Sequence, residues 1–528
     1  MLFNSLLFLL LFLPVALLVH YLLGARSLRA GAAWLCLTSF VFYGWWNPQF
    51  VALLAVSIAF NYGVSQLILY FKGRTVLQTL ATALGVAADL GLLLHYKYFT
   101  ALLGFLHELG LSGASPAGSV ILPLGISFFT FTQIGYLLDC RAGIVSERSP
   151  LSYVLFVTFF PHLIAGPILH HKEMMPQFAQ RENYRFKAEN LSVGGMLFVI
   201  GLAKKVLLAD AIAPYADAGF ADPASLRFWA AWGASLSYAL QLYFDFSGYS
   251  DMALGLAKMF GIRFPLNFNS PYKASSIIDF WARWHITLTR YLTAYLYYPV
   301  AMAVSRRRTA RGLPVGAAGV ATADGFAAMI VLPTAFTMGL AGIWHGAGLQ
   351  YLVFGLLHAG YLSVNHAWRI FVAGRKPAAA RQTRAATRVA CVLLTFAAVL
   401  VAQVFFRASG MHDALALLEG LAGLRGFEAI AALPWPDATL TPGDAWRMLA
   451  GRHLQLLYLL AMLAIVWLAP NAHQILGRWS PALARAQQSG WSVLRWRPTP
   501  GWAAVMLVLL FLCLANLHQE ARFLYFQF

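Results

Sequence analysis

Long apolar segments separated by short polar ones run the length of the chain, and this pattern predicts membrane-spanning helices. The apolar segments lie near residues 2–23, 32–46, 49–71, 76–95, 120–138, 151–168, 191–208, 228–247, 326–343, 350–368, 389–406, 454–469 and 502–517. A helix needs about 20 predominantly apolar residues to cross a bilayer. Several segments reach or approach that length, and helices satisfy their own backbone hydrogen bonds within lipid. We therefore expect an all-α, polytopic membrane protein.

The composition agrees with this class. Of the 528 residues, 60% are hydrophobic and 11% are charged, and the mean hydropathy is +0.66. A soluble domain has about 25% charged residues. The four cysteines are scattered and form no Cys-x-x-Cys pair, so neither a disulfide framework nor a thiolate metal site is expected.

Basic residues outnumber acidic ones, but their placement points to topology rather than to nucleic-acid binding. The net charge is +18, and most Lys and Arg residues fall in loops between apolar segments, which is the positive-inside pattern. Basic loops without an acidic residue, at 306–311, 369–388 and 471–500, should be cytoplasmic, whereas the mixed-charge segment 407–452 should be an extracytoplasmic loop. This alternation places both termini outside. No basic residue precedes the first apolar segment, which is therefore expected to be a retained helix.

The apolar pattern is interrupted by a polar break at residues 342–348, Gly-Ile-Trp-His-Gly-Ala-Gly. An ionisable side chain at membrane depth is costly and by default marks a functional site. The small residues around His345 would let backbone or a ligand approach closely. A helix-end histidine that bonds a neighbouring carbonyl explains the pattern equally well. The predicted topology places His345 at the outer surface or partway down from it.

After this break, polar residues follow one helical face at spacings of three, four and four: His358, Tyr361, Asn365 and Arg369. Such a stripe on an apolar helix should face the protein interior or a water-filled cavity. On an unbroken helix His345 and His358 would lie about 20 Å apart at 1.5 Å per residue. The glycines must therefore fold the chain back if both histidines serve one site. His358 is interpreted as a supporting or pore-lining residue.

Residues 271–300 differ from the spans and predict a helix that lies at the membrane interface. Ser276 followed by Asp279 fits a helix-start capping pattern. One face would carry Asp279, Arg283, Thr287 and Arg290, and the opposite face Trp281, Trp284, Leu288 and Leu292, with His285 leaning to that side. Tryptophans opposite a charged stripe are typical of an interfacial helix. A simple amphipathic anchor is the alternative, although it leaves the histidine unexplained.

Asp245 and Asp251 follow an apolar segment, where carboxylates need partners or water. The alternative to a chemical role is a structural one, as ion pairs or caps where Gly248 breaks the helix. This structural role is favoured for Asp251 and left open for Asp245. Neither aspartate has companion ligands at metal spacing, so no metal site is expected. His171 should be solvated, and His473 should be a loop, interface or packing residue.

Several longer strings carry a family resemblance. They are ILPLGISFFTFTQIGYLLD (121–139), FFPHLIAGPI (159–168), GLAKKVLLAD (201–210), QLYFDFSGYSDMALGLAKMFGIRFPLNFNSPY (241–272), FWARWHITLTRYLTAYLY (280–297), GIWHGAG (342–348), VFFRA (404–408) and the terminal FLYFQF. They resemble the membrane-bound O-acyltransferase (MBOAT) family, specifically its bacterial branch typified by the alginate O-acetylase membrane protein. The chain lacks the Gly-x-Ser-x-Gly elbow of serine hydrolases and the phosphate loop of NTPases.

The resemblance implies a fold and a reaction. The fold would be a ring of about 10–12 transmembrane helices, with interfacial and re-entrant helices around a central tunnel, in a single acyltransferase domain over residues 1–528. The reaction would move an acyl group, taken to be acetyl, from a cytoplasmic thioester such as acetyl-CoA to a hydroxyl across the bacterial inner membrane. The acceptor would be an exported polysaccharide, reached through an extracytoplasmic partner with an SGNH-hydrolase-like fold. No permanently bound cofactor is implied.

The resemblance also assigns the catalytic residue. The family's catalytic histidine, in its Trp-His-Gly-Ala string, corresponds to His345, which would act as general base because the pKa of an imidazole lies near working pH. Together with the polar positions described above, the expected supporting or pore-lining residues are Trp344, His358, Trp284, His285, Asp245 and Asn365. Arg283 and Lys273 could meet phosphates of the donor if they are cytoplasmic.

One departure from the alginate-type members leaves the polymer open. Those members usually carry a second arginine before Arg-Trp-His and an Arg-Asp before Tyr-Leu-Tyr, where this chain has Ala282, Thr293 and Ala294. Alginate and another exported polysaccharide, such as cellulose or a capsule-like glycan, are therefore equally open.

A proton-coupled secondary transporter is the alternative from another functional class. Its proton relay would use His345, His358, Asp245 and Asp251. Transporters usually show broken helices in two related halves, and this sequence shows no such internal symmetry.

Overall fold

The computed structural model describes residues 1–108, 121–372, 385–427, 454–484, 490–517 and Leu524. Within those ranges the chain forms helices and no β-strand, which confirms the all-α prediction. Six helical segments in this part of the chain are long and apolar enough to cross a membrane: Phe8–Arg26, Gln49–Tyr70, Thr75–Gly104, Ala188–Ala221, Ala323–His345 and Ala385–Arg407. Leu454–Leu468 and Pro500–Ala515 are apolar but shorter. The protein is therefore a multi-pass membrane protein.

Other parts of the predicted topology stay predictions. These are the ring of helices around a tunnel, the bacterial inner membrane and the extracytoplasmic termini. Most of the predicted extracytoplasmic loop 407–452, and parts of the predicted cytoplasmic loops 369–388 and 471–500, lie outside the described residues.

The helices are numbered here in chain order. The first twelve are α1 (Leu13–Arg26), α2 (Leu28–Gly44), α3 (Gln49–Tyr70), α4 (Thr75–Leu93), α5 (Phe99–Glu108), α6 (Ile126–Arg141), α7 (Pro150–Thr158), α8 (Phe160–Leu163), α9 (His171–Phe178), α10 (Ala188–Ala203), α11 (Asp210–Ala221) and α12 (Phe228–Met259). They are followed by α13 (Ile277–Trp281), α14 (Ile286–Leu292), α15 (Tyr298–Ala310), α16 (Gly316–Val320), α17 (Ala323–Phe326), α18 (Leu332–His345), α19 (Leu349–Ala367), α20 (Ala385–Arg407), α21 (Met411–Leu421), α22 (Leu454–Leu468), α23 (Ala472–Ile475) and α24 (Pro500–Ala515).

Several helices contain or adjoin a π-helical turn. Such turns are found at Phe8–Phe12, Leu94–Tyr98, Lys204–Ala209, Thr293–Tyr297, Ala327–Val331 and Trp368–Val372. A π turn follows an i→i+5 pattern and frequently occurs at functional sites. The turn at Lys204–Ala209 positions a buried ion cluster described below.

The chain forms two compact units. The first comprises Met1–Ala203, Ser247–Leu266 and Ala472–Gln527, and the second comprises Lys204–Phe246, Asn267–Asn471 and Phe528. Of the residues singled out as candidates for chemistry, all except Asp251 belong to the second unit. The expectation that residues 1–528 act as one acyltransferase domain stays a prediction.

The first unit shows that Gly248 does not break its helix, contrary to the prediction. α12 continues through this position to Met259. A Cβ at Gly201 would collide with the carbonyl oxygen of Gly248, and a Cβ at Gly194 with that of Gly255. The glycines therefore serve close packing of α10 on the last part of α12, and the helix keeps its hydrogen bonds.

In the second unit, Tyr272 joins three helices. Its hydroxyl donates to the carbonyl of Ala239 in α12 at 2.7 Å and accepts from the Gln403 side chain of α20 at 3.3 Å. Its carbonyl accepts from the indole of Trp467 in α22 at 3.2 Å. These three hydrogen bonds of Tyr272 connect α12, α20 and α22.

Candidate functional site

The polar break at residues 342–348 is the tip of a helical hairpin. α18 ends at His345, and the backbone is extended at Gly346 (φ −174°, ψ 166°) and Gly348 (φ −81°, ψ 150°) before α19 begins. The two helices then pack closely, because a Cβ on Gly342 would collide with the carbonyl oxygen of Tyr351. The chain therefore folds back at this break, as two histidines in one site would require.

The hairpin brings His345 and His358 onto the same aromatic ring. The ring centroid of Phe354 lies 6.1 Å from that of His345 and 4.8 Å from that of His358. His345 also contacts Trp344 at 4.7 Å and Phe406 of α20 at 4.8 Å. His345 is 8% exposed and His358 is 1% exposed. The two imidazoles thus belong to one buried aromatic cluster.

A hydrogen bond fixes the tautomer of His358. The indole Nε1–H of Trp281, in α13, donates to His358 Nδ1 at 3.2 Å. An indole N–H can only donate, so Nδ1 is the acceptor and the imidazole proton lies on Nε2. The ring of Phe280 stacks parallel to the imidazole, at 6.2 Å and 5°. His358 is therefore held in one orientation as a neutral donor through Nε2–H.

The polar stripe on α19 becomes more exposed as it leaves this cluster. Tyr361 contacts the His358 ring at 5.8 Å, and it and Asn365 are half-buried. The Asn365 side-chain oxygen has no hydrogen-bond partner among the described residues. Arg369 is exposed and donates to Ser276 Oγ at 3.4 Å. The first part of the stripe faces the interior as predicted, whereas its end does not.

The single interfacial helix predicted for residues 271–300 is wrong, because the chain breaks between α13 and α14. Arg283 pairs with Asp279 at 2.7 Å, as the spacing predicted. His285 then adopts the left-handed conformation, with φ 42° and ψ 52°. Thr287, expected on the charged face, is fully buried, and its backbone N–H and hydroxyl donate to Asn267 Oδ1 at 3.3 and 2.8 Å. These side-chain bonds replace helical ones and interrupt the helix.

His285 lies at this break as a buried side chain. Its Nδ1 is 3.0 Å from Asn267 Oδ1, which must be the amide oxygen because it accepts the backbone N–H of Thr287. Nδ1 therefore carries the proton, and Nε2 is the acceptor, opposite to His358. Burial lowers the pKa of His285 to about 3. The neighbouring Trp284 stacks on Phe280 at 5.7 Å, and Phe280 stacks on His358, so Trp284 joins the aromatic cluster. His285 contacts the ring of Phe246 at 4.8 Å instead.

Asp245 belongs to a buried ion cluster. Its carboxylate is 2.5 Å from Lys205 Nζ, which lies 2.7 Å from Asp210. Lys205 and Asp245 are each 1% exposed. Lys205 and Asp210 are five residues apart, and the π-helical turn between them places both on one side of the helix. These ion pairs favour the structural interpretation of Asp245, which the sequence left open.

Two histidines have carboxylate partners that the sequence did not predict, both in the first unit. His473 pairs with Asp251 at 3.0 Å, which agrees with the structural role favoured for that aspartate. His171 pairs with Asp139 at 2.9 Å and is 3% exposed, so the expectation that it is solvated is wrong. In both cases the partner comes from a distant part of the sequence.

Lys273 and Arg283, which were predicted to contact the acyl donor, both bind other parts of the protein. Lys273 Nζ donates to the carbonyl of Ala469 at 2.6 Å. Burial and the neighbouring Arg283 charge lower the pKa of Lys273. Arg283 is held by Asp279, and both members of that pair are about one-third exposed, at 31%. Their contact with donor phosphates stays a prediction.

A cavity of about 350 Å³ lies next to the aromatic cluster, between α13, α14, α18 and α19. Polar lining groups come from Thr289, Thr293, Tyr297, Thr334, Thr337 and His366, and apolar ones include Trp281, Leu292, Met338 and Leu362. Two positions that depart from the alginate-type pattern, Ala282 and Thr293, line it as well. Because Trp281 forms one wall and bonds His358, a single side chain separates the cavity from the imidazole.

Several residues of this site were not singled out from the sequence: Phe354, Phe406, Asn267, Lys205 and Asp210. All except Phe354 lie within the strings that carry the family resemblance, so those strings held the available signal. Phe354 lies in an apolar segment and is indistinguishable there from a lipid-facing or core residue.

Comparison with known proteins agrees with these observations. A model of the family described as MBOAT, membrane-bound O-acyltransferase, matches residues 116–317. The peptidoglycan O-acetyltransferase of Helicobacter pylori is 40% identical over 81% of this chain and 80% of that protein. The probable alginate O-acetylase AlgI of Pseudomonas aeruginosa is 36% identical over 80% of this chain and 75% of its own length. The teichoic acid D-alanyltransferase of Bacillus subtilis is 27% identical over 46% of this chain.

The similarity to the first two relatives extends over about four-fifths of the chain, at 40% and 36% identity. Such coverage includes both compact units and is not restricted to one motif. The helical, multi-pass architecture agrees with it. The chain belongs to the membrane-bound O-acyltransferase family and is an acyltransferase.

Proposed function

We propose that this protein transfers an acetyl group from a cytoplasmic thioester to a hydroxyl of an exported polysaccharide, with His345 as general base. The names of the relatives support acetyl transfer to a polysaccharide, since they act on peptidoglycan and alginate. The observation that supports the site most directly is the hairpin, which brings His345 and His358 onto the ring of Phe354. Either polymer, or another exported glycan, fits the proposal.

The chemical step follows from the properties of an imidazole. Neutral His345 accepts the proton of the acceptor hydroxyl as its oxygen attacks the thioester carbonyl carbon. The carbon–sulfur bond then breaks, and the thiolate takes the proton back from the imidazolium. The aromatic rings around His345 exclude water, which keeps the base neutral and protects the thioester from hydrolysis.

His358 supplies the complementary group. Its bond to Trp281 leaves the proton on Nε2, so it can donate a hydrogen bond but cannot act as base at that nitrogen. Negative charge develops on the thioester oxygen in the transition state, and a preorganised donor stabilises it. In this proposal His345 moves the proton and His358 orients and polarises the carbonyl.

The cavity beside Trp281 is the proposed site for the arm of the thioester donor. Its lining is mainly apolar and includes a few hydroxyl groups, which suits a linear chain that carries only a few amide groups. It lies toward the ends of α18 and α19 that adjoin basic loops and are therefore predicted to be cytoplasmic. Lys273 and Arg283 would then meet the phosphates of acetyl-CoA or another acyl thioester.

The acceptor approaches from the opposite side in this proposal. The predicted topology places the α18–α19 turn toward the extracytoplasmic surface. The hydroxyl that attacks at His345 would belong to an extracytoplasmic partner with an SGNH-hydrolase-like fold, which would then pass the acetyl group on to the polysaccharide. The bacterial inner membrane is the corresponding location.

Radiolabelled acetyl-CoA tests the proposal with protein in nanodiscs, together with the partner and the glycan. His345→Ala should lower acetyl transfer at least about 100-fold, because general-base catalysis contributes about 10²–10⁴-fold. His412→Ala, at an exposed histidine in the same unit, is the matched control and should leave the rate unchanged. Size-exclusion chromatography would establish that both variants remain folded.

Other outcomes would contradict the proposal. Proton-coupled uptake without acetyl transfer would favour the transporter alternative. Unchanged transfer by His345→Ala would assign the base to another residue.

A further inference from the structure

The cavity between α13, α14, α18 and α19 contains a hydroxyl group that the protein itself does not satisfy. Thr337 lines this cavity and is 5% exposed, and its Oγ1 has no hydrogen-bond partner among the described residues. The other hydroxyls of the lining have partners: Thr289 and Thr293 donate to carbonyls one turn back at 3.3 and 2.7 Å, and Thr334 bonds Tyr297. A buried hydroxyl without a partner costs free energy, so a ligand or water in the cavity should satisfy it.

An arginine without an acidic partner lies at the end of the same cavity. Arg369 is exposed and donates to Ser276 Oγ at 3.4 Å, and no acidic side chain pairs with it within the described ranges. Ser276 caps the start of α13, which forms one wall of the cavity. His366, one turn before Arg369 in the chain, belongs to the wall formed by α19. Arg369 therefore connects the ends of two walls, on the side that is predicted to be cytoplasmic.

The spacing between His358 and Arg369 matches the length of a thioester arm. The two residues are 11 positions apart in the sequence, which corresponds to a rise of about 16 Å along a helix. In 4′-phosphopantetheine, about 14 bonds separate the thioester carbon from the phosphorus, and an extended chain of that length spans about 16 Å. With the thioester carbonyl at His358, the phosphate would therefore reach Arg369.

Thr337 lies near the start of this span. A Cβ on Gly355 would collide with the carbonyl oxygen of Met338, so the residue next to Thr337 packs against a position about one turn before His358. The amide nearest the sulfur of the arm follows the thioester carbon by about four bonds, or about 5 Å. This amide would therefore lie at the level of the Thr337 hydroxyl.

We propose that the cavity binds the 4′-phosphopantetheine arm of the donor, with Thr337 hydrogen-bonded to an amide and Arg369 to the phosphate; this rests on the function proposed above. A hydroxyl can donate to an amide carbonyl or accept from an amide N–H, and a guanidinium matches phosphate oxygens in a bidentate manner. Coenzyme A and acyl carrier proteins both carry this arm, so the site accepts either source. The additional phosphates of coenzyme A remain for Lys273 and Arg283.

Direct binding to protein in nanodiscs tests the site without turnover, with empty nanodiscs as background. The probes are unreactive S-methyl thioethers of 4′-phosphopantetheine, of pantetheine, which lacks the phosphate, and of a phosphopantetheine analogue in which CH2–CH2 replaces the amide nearest the sulfur. The wild-type protein should bind the complete arm at least about 10-fold more tightly than the pantetheine probe and about 2- to 10-fold more tightly than the amide analogue. Equal affinities for the three probes, or no binding, would overturn the inference.

Variants assign each contact to one side chain. Thr337→Val should weaken binding of the complete arm about 2- to 10-fold and leave that of the amide analogue unchanged, whereas Thr337→Ser keeps the hydroxyl and should bind like the wild type. Arg369→Gln should lower the affinity for the complete arm to that for the pantetheine probe. Arg388→Gln, at an exposed arginine of α20, is the matched control and should change nothing. Losses that are equal for all probes would overturn the inference.

Thermal unfolding without a probe separates ligand binding from a structural role of Thr337. Thr337→Val should keep or raise the midpoint of unfolding, because the hydroxyl that it removes has no partner in the protein. A lower midpoint would show that the fold uses this hydroxyl, and the inference would then fail.

Two complete donors identify the source of the arm: S-methyl coenzyme A and a carrier protein that bears S-methyl phosphopantetheine. The source is the one that binds more tightly. For that donor, Thr337→Val should weaken binding by the same factor as for the arm alone. Absence of this effect with both donors would overturn the inference.

Transfer of radiolabelled acetyl separates the inference from the proposed function. If the probes bind as expected and no acetyl group is transferred under any condition, the arm site stands and the proposed function fails. If transfer requires His345 but Thr337→Val and Arg369→Gln leave KM for the donor unchanged, the proposed function stands and the arm site fails. With both correct, the two variants raise KM for the donor and leave kcat unchanged.

Discussion

Trp281 donates its indole N–H to Nδ1 of His358 at 3.2 Å, across 77 residues of sequence. The bond makes His358 an acceptor at one nitrogen and a donor at the other. It also connects the wall of the 350 Å³ cavity with the aromatic cluster around His345. Two substitutions of His358 separate its role as acceptor at Nδ1 from its role as donor at Nε2.

We predict that His358→Gln retains more activity than His358→Asn. The glutamine amide places an N–H close to the position of Nε2, whereas the asparagine oxygen replaces Nδ1 and keeps the bond to Trp281. Loss of one transition-state donor costs about 10²–10³-fold in kcat, so the asparagine variant should fall by that range and the glutamine variant by less. Steady-state acetyl-transfer rates measure the difference; the reverse order would assign His358 a positioning role through Nδ1.

Trp281→Phe provides a second test of the same bond. Phenylalanine keeps an aromatic wall for the cavity and leaves Nδ1 of His358 without its donor. We expect the ¹⁵N spectrum of labelled histidine to show a mixture of His358 tautomers and kcat to fall about 10-fold, the effect of one lost hydrogen bond. An unchanged tautomer would mean that another group fixes it.

The buried cluster of Lys205, Asp210 and Asp245 predicts a large effect on stability. Lys205→Met leaves two carboxylates in a buried site, and loss of one partner from a buried ion pair costs about 3–5 kcal/mol. The midpoint of thermal unfolding in detergent should fall markedly. Removal of all three charges, by Lys205→Met with Asp210→Asn and Asp245→Asn, should recover much of the loss.

The same triple variant distinguishes a structural cluster from a proton relay. With a structural role, acetyl transfer per folded molecule should remain close to that of the wild type. A relay function predicts complete loss of activity in a protein that is still folded. A thermal midpoint unaffected by Lys205→Met would show that the cluster contributes little to the fold.

Local signals in the sequence mark the centre of the candidate site. The Trp-His-Gly-Ala-Gly break stands out against apolar flanks, and the spacing from His345 to His358 requires a fold-back if both histidines serve one site. The helical class follows from the length of the apolar segments alone. These inferences use only residues that lie within a few helical turns of one another in the sequence.

The contacts on which the proposed chemistry rests join residues far apart in sequence. Nothing in the periodicity of α19 indicates that Trp281 will meet His358, and Asn267 cannot be identified as the group that interrupts the helix at His285. The π-helical turn at Lys204–Ala209 places Lys205 and Asp210 together, although an α-helix would separate them. Gly248 was assigned to a helix break because glycine lowers helix propensity, but close packing on Gly201 retained it within the helix.

A pair of glycines on α19 tests the importance of the hairpin packing. A Cβ on Gly355 would collide with the carbonyl oxygen of Met338, whereas a Cβ on Gly360 would meet no atom within 4 Å. Gly355→Ala should force α18 and α19 apart and cost about 1–3 kcal/mol of stability. Because this displacement moves His345 relative to His358, activity per folded molecule should fall as well.

Gly360→Ala is the matched control on the same helix. Alanine has a higher helix propensity by about 1 kcal/mol, so this variant should be as stable as the wild type or slightly more stable. Its rate of acetyl transfer should be unchanged. Equal thermal midpoints for the two alanine variants would show that the packing at Gly355 can relax without cost.

His285 predicts a specific dependence of stability on pH, and it lies outside the helices long enough to cross a membrane. Burial lowers its pKa from 6.5 to about 3 in the folded protein. Between these values the unfolded chain binds a proton that the folded protein does not, so stability falls as pH decreases from 6.5 toward 3. His285→Asn tolerates the left-handed backbone and cannot titrate. As the pH falls from 7 to 4, the thermal midpoint of the wild type should therefore fall relative to that of His285→Asn. A difference independent of pH would mean that the pKa of His285 is the same in the folded and unfolded protein.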